Sequence, residues 1–284
     1  MGNPTDELAQ LLSKADRRIT QDPSRKPAWK FSTNSEAHML EDAISSKMPV
    51  YPSRANGKNR FDGSVIAVQF DSSMKGYWSF DDPISGTICY DAIQANRNNG
   101  FMYGGAAIVS GKYNQCVSFS GSPSYVSIPH HADYNFGTAD FTIELWTNPS
   151  GTAGSETLLS KDDGLGVAQI RLGVNTANGL LIGHIGGGTI DGRTSIDLRN
   201  AWHYIAVVRE SGTVRINVDE IQDASFTGSG NLTVMNRDLL IGAYMNSLGG
   251  IEQNLNGKTD EVRLYNTALS VVRLGQHARN YRFQ

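Results

Sequence analysis

The chain contains few cysteines for its length. Only Cys89 and Cys116 occur among 284 residues, which excludes the disulfide framework of a small secreted domain. Both lie in strand-like segments, TICYD and QCVSF. This setting favours two half-buried free thiols, and a bridge between neighbouring strands is the alternative.

The sequence also lacks a long apolar run and a strong charge of either sign. No segment approaches the length of a membrane span, so membrane insertion is not expected. The net charge is −3, which leaves no electrostatic footprint for nucleic acid or anionic lipid. Residues 1–19 carry acids and bases but no apolar signal segment, which predicts folding in a reducing cytoplasm.

The first sixty residues differ from the rest. Asn3 and Pro4 are suited to begin a helix whose apolar residues recur at helical spacing as far as Ile19. Residues 35–47 predict a second, shorter helix, and prolines interrupt the chain after each. Residues 1–60 have 10 Lys and Arg against 7 Asp and Glu, whereas the remainder has 15 against 21. We therefore predict a docking arm over residues 1–60 and a β domain over residues 61–284.

Beyond residue 61 the apolar residues recur with a period of two. Residues 213–219 read TVRINVD, so that Val214, Ile216 and Val218 alternate with polar side chains. Residues 202–209, WHYIAVVR, predict the preceding strand. Turn residues recur roughly every ten positions, a spacing typical of an antiparallel β-sandwich.

Four segments together resemble one known family. They are GYWSFDD at 76–82, GKYNQCVSFSGSPSYVSIP at 111–129, the WHYIAVVR…VRINVDE pair, and TDEVRLYNTAL at 259–269. In this order they resemble the laminin-G-like, concanavalin A-type family. The resemblance implies an all-β fold, a two-sheet antiparallel jelly-roll sandwich, carried here behind the short helical and extended arm. It also implies a recognition or scaffolding module.

The resemblance further implies a structural cation site. The family often places Ca²⁺ ligands after the opening strand, in an Asn- and Gly-rich loop, and in the closing strand. The matching positions here are Asp81, Asn99 and Asp260. Ca²⁺ prefers several carboxylate, amide and backbone oxygens. Arg97, in the same loop, points to the alternative, a metal-free clasp of hydrogen bonds.

Catalysis is not expected from the sequence. Retaining glycosidases need two carboxylates close together, as in a Glu-x-Asp-x-Glu strand, and Glu144 is the single acid of FTIELWT. No G-x-S-x-G, H-E-x-x-H or phosphate-loop motif occurs. Adjacent residues of an extended segment point in opposite directions, so His130 and His131 are a poor metal pair.

The tryptophans and a few loop residues complete the predictions. Trp78, Trp146 and Trp202 lie in predicted strands, where we expect them to pack between the two sheets. The candidates for binding a glycan are residues of predicted loops: Tyr103, Asp162, Asp163, Tyr244 and Asn246.

The predicted function is that of a non-catalytic virion surface protein. The arm would attach the jelly roll to a capsid, tail or fibre base as part of an oligomeric assembly formed in host cytoplasm, and the jelly roll would display a glycan-binding surface. The alternatives are a soluble lectin-type adhesion module that reaches the outside without a signal peptide, and a diverged glycoside hydrolase.

Overall fold

The structure is a computed structural model that describes residues 58–61, 64–67, 72–81, 86–93, 98–152, 154–162, 170–233 and 237–279. The chain divides into two compact units, Met1–Gln69 with Arg279–Gln284, and Phe70–Ala278. In the first unit, strands β1 (Lys58–Phe61) and β2 (Ser64–Ala67) form an antiparallel hairpin. The predicted arm helices lie outside the described residues, and the boundary at residue 60 stays a prediction.

The second unit contains two antiparallel sheets. In spatial order, sheet I consists of β13 (Gly188–Thr189), β12 (Leu180–Ile185), β11 (Ile170–Asn175), β10 (Ser155–Lys161), β17 (Leu239–Ile241), β8 (Tyr125–Ile128), β5 (Gly100–Tyr103) and β4 (Ile88–Cys89). Sheet II consists of β16 (Ile221–Thr227), β15 (Thr213–Val218), β14 (His203–Glu210), β9 (Phe141–Pro149), β20 (Asn256–Tyr265), β7 (Gln115–Ser120) and β6 (Ala107–Ser110), with β3 (Met74–Trp78) also paired to β20.

Three smaller elements lie between or after these strands. A 3₁₀ turn covers Ala132–Tyr134, a hairpin joins β18 (Tyr244–Met245) to β19 (Ile251–Glu252), and helix α1 covers Val271–Arg279. Among the described residues, no helix has the length and apolarity that a membrane crossing needs.

The core lies between the two sheets and follows the alternation of the strands. On β9, Phe141, Ile143 and Leu145 are buried in this core, and the residues between them face the other side of sheet II. Trp78 of β3 is fully buried in the same core. This arrangement confirms the predicted two-sheet jelly-roll sandwich.

The prediction that all three tryptophans pack between the sheets is wrong for two of them. Trp146 pairs with Tyr204 on the outer face of sheet II, where both belong to a second apolar cluster. Trp202 precedes β14 and is only partly buried against that cluster. The reason is helix α1, which the sequence analysis did not predict and whose Leu274 and Ala278 cover this outer face.

Both cysteines are buried and free. Burial raises the pKa of Cys89 and of Cys116 to about 12, because a thiolate is poorly solvated there. The predicted free thiols are therefore confirmed over the bridged alternative, but both are buried rather than half-buried. Neither thiol has the lowered pKa that a reactive cysteine needs.

Candidate functional site

Three of the predicted ligand-binding residues lie around one arginine on the outer side of sheet I. Arg171 is on β11, where the alternate residues are buried in the core, so its side chain faces outward. Its Nε donates a hydrogen bond to Asp162 Oδ2 at 2.9 Å. Its guanidinium carbon lies 4.1 Å from the centroid of the Tyr244 ring. Asp162 and Tyr244 thus hold Arg171 from two directions.

The hairpin of β18 and β19 completes this group. Tyr244 OH donates to Glu252 Oε2 at 2.7 Å, and Asn246 Nδ2 donates to Glu252 Oε1 at 2.6 Å. The side-chain oxygen of Asn246 accepts the backbone N–H groups of Leu248 and Gly250, which fixes the hairpin tip. We call Asp162, Arg171, Tyr244, Asn246 and Glu252 the Arg171 cluster.

A buried lysine lies beside the Arg171 cluster. Lys161 directly precedes Asp162 and is 1% exposed. Its Nζ donates to the carbonyl oxygen of Arg237 at 2.8 Å and lies 3.0 Å from His130 Nδ1. Burial lowers the pKa of Lys161 to about 8, although nearby Asp238 opposes the shift. Burial, and then Lys161, also lower the pKa of His130. Lys161 therefore carries less positive charge at mildly alkaline pH than an exposed lysine would.

The fourth described candidate, Tyr103, belongs to an exposed aromatic pair. Tyr103 of β5 and Tyr125 of β8 are cross-strand partners whose ring centroids are 5.0 Å apart, with ring planes 13° from parallel. Tyr103 is 47% exposed, and Phe101 on the same face is 37% exposed. Burial, then Tyr103 and Asp238, raise the pKa of Tyr125. Asp238 therefore lies near both Tyr125 and Lys161, and connects the tyrosine pair to the buried lysine.

Several residues of this surface were not predicted from the sequence. Tyr125, Arg171 and Glu252 were not among the candidates, and Asp163 lies outside the described residues. Alternation in YVSI would have placed Tyr125 on the outer face. Nothing in the spacing of Arg171 distinguishes it from an ordinary solvated strand residue, because its partners come from distant segments.

The structure brings together two of the three predicted cation ligands. Asp81 Oδ1 accepts the backbone N–H of Gln115 at 3.0 Å, and Asp260 Oδ2 accepts that of Tyr113 at 2.9 Å. Both carboxylates therefore bind the turn that begins at Gly111. That glycine leaves no room for a side chain, since an added Cβ would lie 2.7 Å from Asp260 Oδ2.

Asp260 has the chemistry of a cation ligand in one respect. Its side chain is fully buried, and its Oδ1 has no hydrogen-bond partner among the residues that the structure describes. Burial, followed by the charge of Glu261, raises the pKa of Asp260 to about 8, and Asp81 adds to this. The described part of the chain contains no group of three His, Cys, Asp or Glu side chains arranged to hold a metal. A cation here would need amide or backbone oxygens as well.

Asn99 makes a different set of contacts. Its side-chain oxygen accepts the backbone N–H of Asp91 at 3.0 Å. The carboxylate of Asp91 in turn accepts the N–H groups of Tyr77, Ile93 and Asn98. Among the described residues, no hydrogen bond joins Asn99 to either predicted carboxylate partner. Asn99 therefore serves a loop clasp organised by Asp91, which the sequence analysis did not single out.

A second group of polar side chains is buried beneath helix α1. Glu144 accepts a hydrogen bond from Tyr204 OH at 2.7 Å and lies 2.9 Å from His277 Nδ1 of the helix. Arg263 lies 3.7 Å from Glu144 and directly contacts Glu261. Against the effect of burial, His277 and Arg263 hold the pKa of Glu144 below its usual range. Glu144 is therefore a fully buried carboxylate whose negative charge is favoured by its neighbours.

Both the sequence and the architecture of the chain are similar to those of known proteins. A family model for the concanavalin A-like lectin/glucanases superfamily matches residues 120–273. The chain belongs to this superfamily. Among curated protein sequences, no match to the chain is found.

Solved structures of the same fold include binding domains and enzymes. The superfamily member described here aligns with domain 4 of the Geobacillus stearothermophilus arabinanase AbnA, in complex with arabinotriose, at a TM-score of 0.56 and 18% identity, covering 72% of this chain and 98% of that one. The binding domain of Paraclostridial Mosquitocidal Protein 1 aligns with a TM-score of 0.56 and 16% identity, covering 74% of this chain and 52% of that one. The Trypanosoma rangeli sialidase aligns with a TM-score of 0.57 and 17% identity, covering 86% of this chain and 38% of that one.

Proposed function

We propose that this superfamily member is a non-catalytic carbohydrate-binding module whose site runs from the tyrosine pair to the Arg171 cluster. The observation that carries the proposal is the stacked pair of exposed Tyr103 and partly buried Tyr125 on the outer face of sheet I. The C–H-rich face of a pyranose ring is apolar, and it loses contact with water when it stacks on such a ring. Tyr103 therefore offers a platform for one sugar.

The Arg171 cluster supplies the polar half of such a site. The cluster contains a carboxylate, an amide and a phenol hydroxyl whose positions are fixed by mutual hydrogen bonds, those of Glu252, Asn246 and Tyr244. Sugar hydroxyls both donate and accept hydrogen bonds, so fixed donors and acceptors beside an aromatic platform suit them. The likeness to the arabinanase domain that was solved with arabinotriose is consistent with a sugar ligand.

The carboxylates favour binding over catalysis. Glu144 and Glu261 lie close to Arg263 on sheet II, but both are fully buried, and His277 of helix α1 contacts Glu144. A retaining glycosidase needs two carboxylates open to the scissile bond. In the Arg171 cluster, Asp162 is bound by Arg171, and Glu252 is bound by two side chains of its own hairpin.

The platform can be tested with one residue. The full chain is screened on a glycan array, and affinity for the best glycan is measured by isothermal titration calorimetry. Tyr103→Ala should lower affinity at least tenfold, Tyr103→Phe should retain most of it, and Ile221→Ala, an exposed side chain on sheet II, should change nothing. Unchanged affinity for Tyr103→Ala, or hydrolysis of the bound glycan, would contradict the proposal.

The proposed setting of this module is the surface of a virion. The sequence of residues 1–60 suits an arm that attaches the jelly roll to a capsid, tail or fibre base in an oligomeric assembly formed in host cytoplasm. The alternative is a free lectin-type module outside the cell. Co-sedimentation with purified particles, lost when residues 1–60 are removed while glycan binding remains, would support the virion setting over the free module.

A further inference from the structure

We propose that Arg171 makes the module selective for acidic sugars, by binding the carboxylate of a uronic or sialic acid residue. The inference rests on the proposed carbohydrate-binding function and names the ligand class of the same site. Asp162 and Tyr244 hold one side of the Arg171 guanidinium, and no described residue accepts a hydrogen bond from its other edge.

The inner side of Arg171 is fixed by two contacts. Nε donates to Asp162 Oδ2 at 2.9 Å, and the Asp162 side chain is 0% exposed. The guanidinium carbon lies 4.1 Å from the centroid of the Tyr244 ring. An arginine side chain normally loses much rotamer freedom when it binds a ligand. Because Asp162 and Tyr244 have already ordered this one, binding would cost less entropy.

The outer edge of Arg171, formed by Nη1 and Nη2, has no hydrogen-bond acceptor among the described residues. About 20% of its side chain is exposed. Within the described part of the chain, neither terminal nitrogen donates a hydrogen bond, since the hydrogen bond that Arg171 makes is through Nε. Nη1 and Nη2 therefore keep N–H groups that no described residue accepts, on a side chain that is partly exposed. This fork matches the two oxygens of a carboxylate.

Neighbouring carboxylates do not occupy this edge. Asp162 is bound at Nε, and the two oxygens of Glu252 accept hydrogen bonds from Tyr244 and Asn246. Among the described residues, the groups of the Arg171 cluster that lack a hydrogen-bond acceptor are thus the two terminal nitrogens of Arg171. After the hydrogen bonds from Tyr244 and Asn246, the charge of Arg171 also lowers the pKa of nearby Glu252. Sugar hydroxyls could accept from it, but charge-assisted bonds to a carboxylate are about twice as strong as neutral ones.

The test compares acidic glycans with their neutral counterparts on the folded full chain. The probes are oligosaccharides ending in glucuronic, galacturonic or sialic acid, the methyl esters of these acids, and the matching neutral sugars. We expect at least one acid to bind tenfold or more tightly than its own methyl ester. Its affinity should also fall as salt rises, because the contact is ionic.

Two variants assign the selectivity to Arg171. Arg171→Lys keeps the charge but removes the fork, so affinity for the acid should fall at least fivefold more than affinity for its own methyl ester or for the matching neutral sugar. Arg215→Gln is the matched control, an arginine on sheet II that pairs with Glu210, and it should leave the preference intact. Thermal melts verify that both variants are folded.

The outcomes separate this inference from the proposed function. Equal binding of acid, ester and neutral sugar, still dependent on Tyr103, would overturn the acidic-sugar inference and leave the carbohydrate-binding module standing. The same holds if Arg171→Lys keeps the full acid preference. Absence of binding to every glycan on the array would overturn both. The comparison of acid with ester needs no variant, so it decides even if Arg171→Lys fails to fold.

Discussion

Asp81 and Asp260 bind the same turn from two segments of the chain that are far apart in sequence. Asp81 Oδ1 accepts the N–H of Gln115 at 3.0 Å, and Asp260 Oδ2 accepts the N–H of Tyr113 at 2.9 Å. The turn thus provides donors for two acids that would otherwise repel each other. Asp260 keeps one buried oxygen without a partner, and the first two predictions depend on that oxygen.

The first prediction concerns the pH dependence of stability without metal. Burial raises the pKa of Asp260 from 3.8 to about 8. Between these values the folded state holds a proton that the unfolded state has released. The free energy of unfolding should therefore fall by up to about 1.4 kcal/mol per pH unit as pH rises through this window. Asp260→Asn should remove that slope, as measured by urea unfolding in chelator from pH 5 to pH 9. Parallel curves for the two proteins would contradict the raised pKa.

The second prediction concerns a cation at the same place. If Ca²⁺ binds Asp81 and Asp260, it should raise the melting temperature of metal-stripped protein, because an ion at a hundredfold excess over its dissociation constant stabilises by about 2.7 kcal/mol. Asp260→Ala should abolish the rise, and Glu210→Ala, an exposed acid elsewhere, should not. Without metal, Asp260→Asn should stabilise the protein at alkaline pH, because it removes the buried carboxylate. With Ca²⁺ present, the same change should destabilise the protein, because it removes a ligand of the ion. Identical melts in chelator and in millimolar Ca²⁺ would leave the metal-free clasp.

Much of the fold was predictable because alternation is a local signal. TVRINVD and FTIELWT gave β15 and β9 almost to their ends. The same alternation puts Trp146 on the outer face, but sequence alone did not say that helix α1 covers that face. Helix α1 is only nine residues long, and two of its apolar residues, Val271 and Val272, are exposed while Leu274 and Ala278 are buried, so its pattern alone does not indicate which face it covers.

The site was less predictable because its contacts join distant segments. Asp162, Tyr244 and Asn246 were candidates as single loop residues, but Arg171, which brings them together, looked like a solvated strand residue. Glu144 also seemed isolated, since its partners His277, Arg263 and Tyr204 come from three other elements. Local spacing carries no information about such pairings.

The third prediction separates two tryptophans that the sequence analysis had treated alike. Trp78 is fully buried in the main core, and its Nε1 donates to the carbonyl oxygen of Asn98 at 3.0 Å. Trp78→Ala should therefore cost roughly 3–5 kcal/mol. Trp202 is only partly buried, so Trp202→Ala should cost less than half as much. Chemical denaturation measures both, and equal losses would contradict the assignment of Trp202 to the outer cluster.

The fourth prediction concerns the attachment of helix α1. His277→Ala removes a partner of the buried Glu144 carboxylate, which should cost roughly 1–3 kcal/mol. Gln276→Ala, on the same helix and partly exposed, should cost little. A double-mutant cycle of His277→Ala with Glu144→Gln should give a coupling energy above about 0.5 kcal/mol. Strict additivity would mean that the pair does not hold the helix.

The fifth prediction concerns the arm. Deleting residues 1–60 should leave a cooperative β domain, because the compact unit Phe70–Ala278 contains the two sheets and their core. Far-ultraviolet circular dichroism should show β structure, with a single sharp melt. An aggregated product, or one without a sharp transition, would place the arm within the core.

The pairing of β3 with β20 has a consequence for biosynthesis and for engineering. Trp78 lies opposite Val262 in the ladder of these two strands. A strand that starts at residue 74 is therefore paired with a strand that ends at residue 265. A ribosome must therefore translate nearly the whole unit before this ladder can form, which predicts folding after synthesis rather than during it. The same adjacency brings the two ends of the sandwich side by side, so it should tolerate circular permutation or grafting into a surface loop of a host protein.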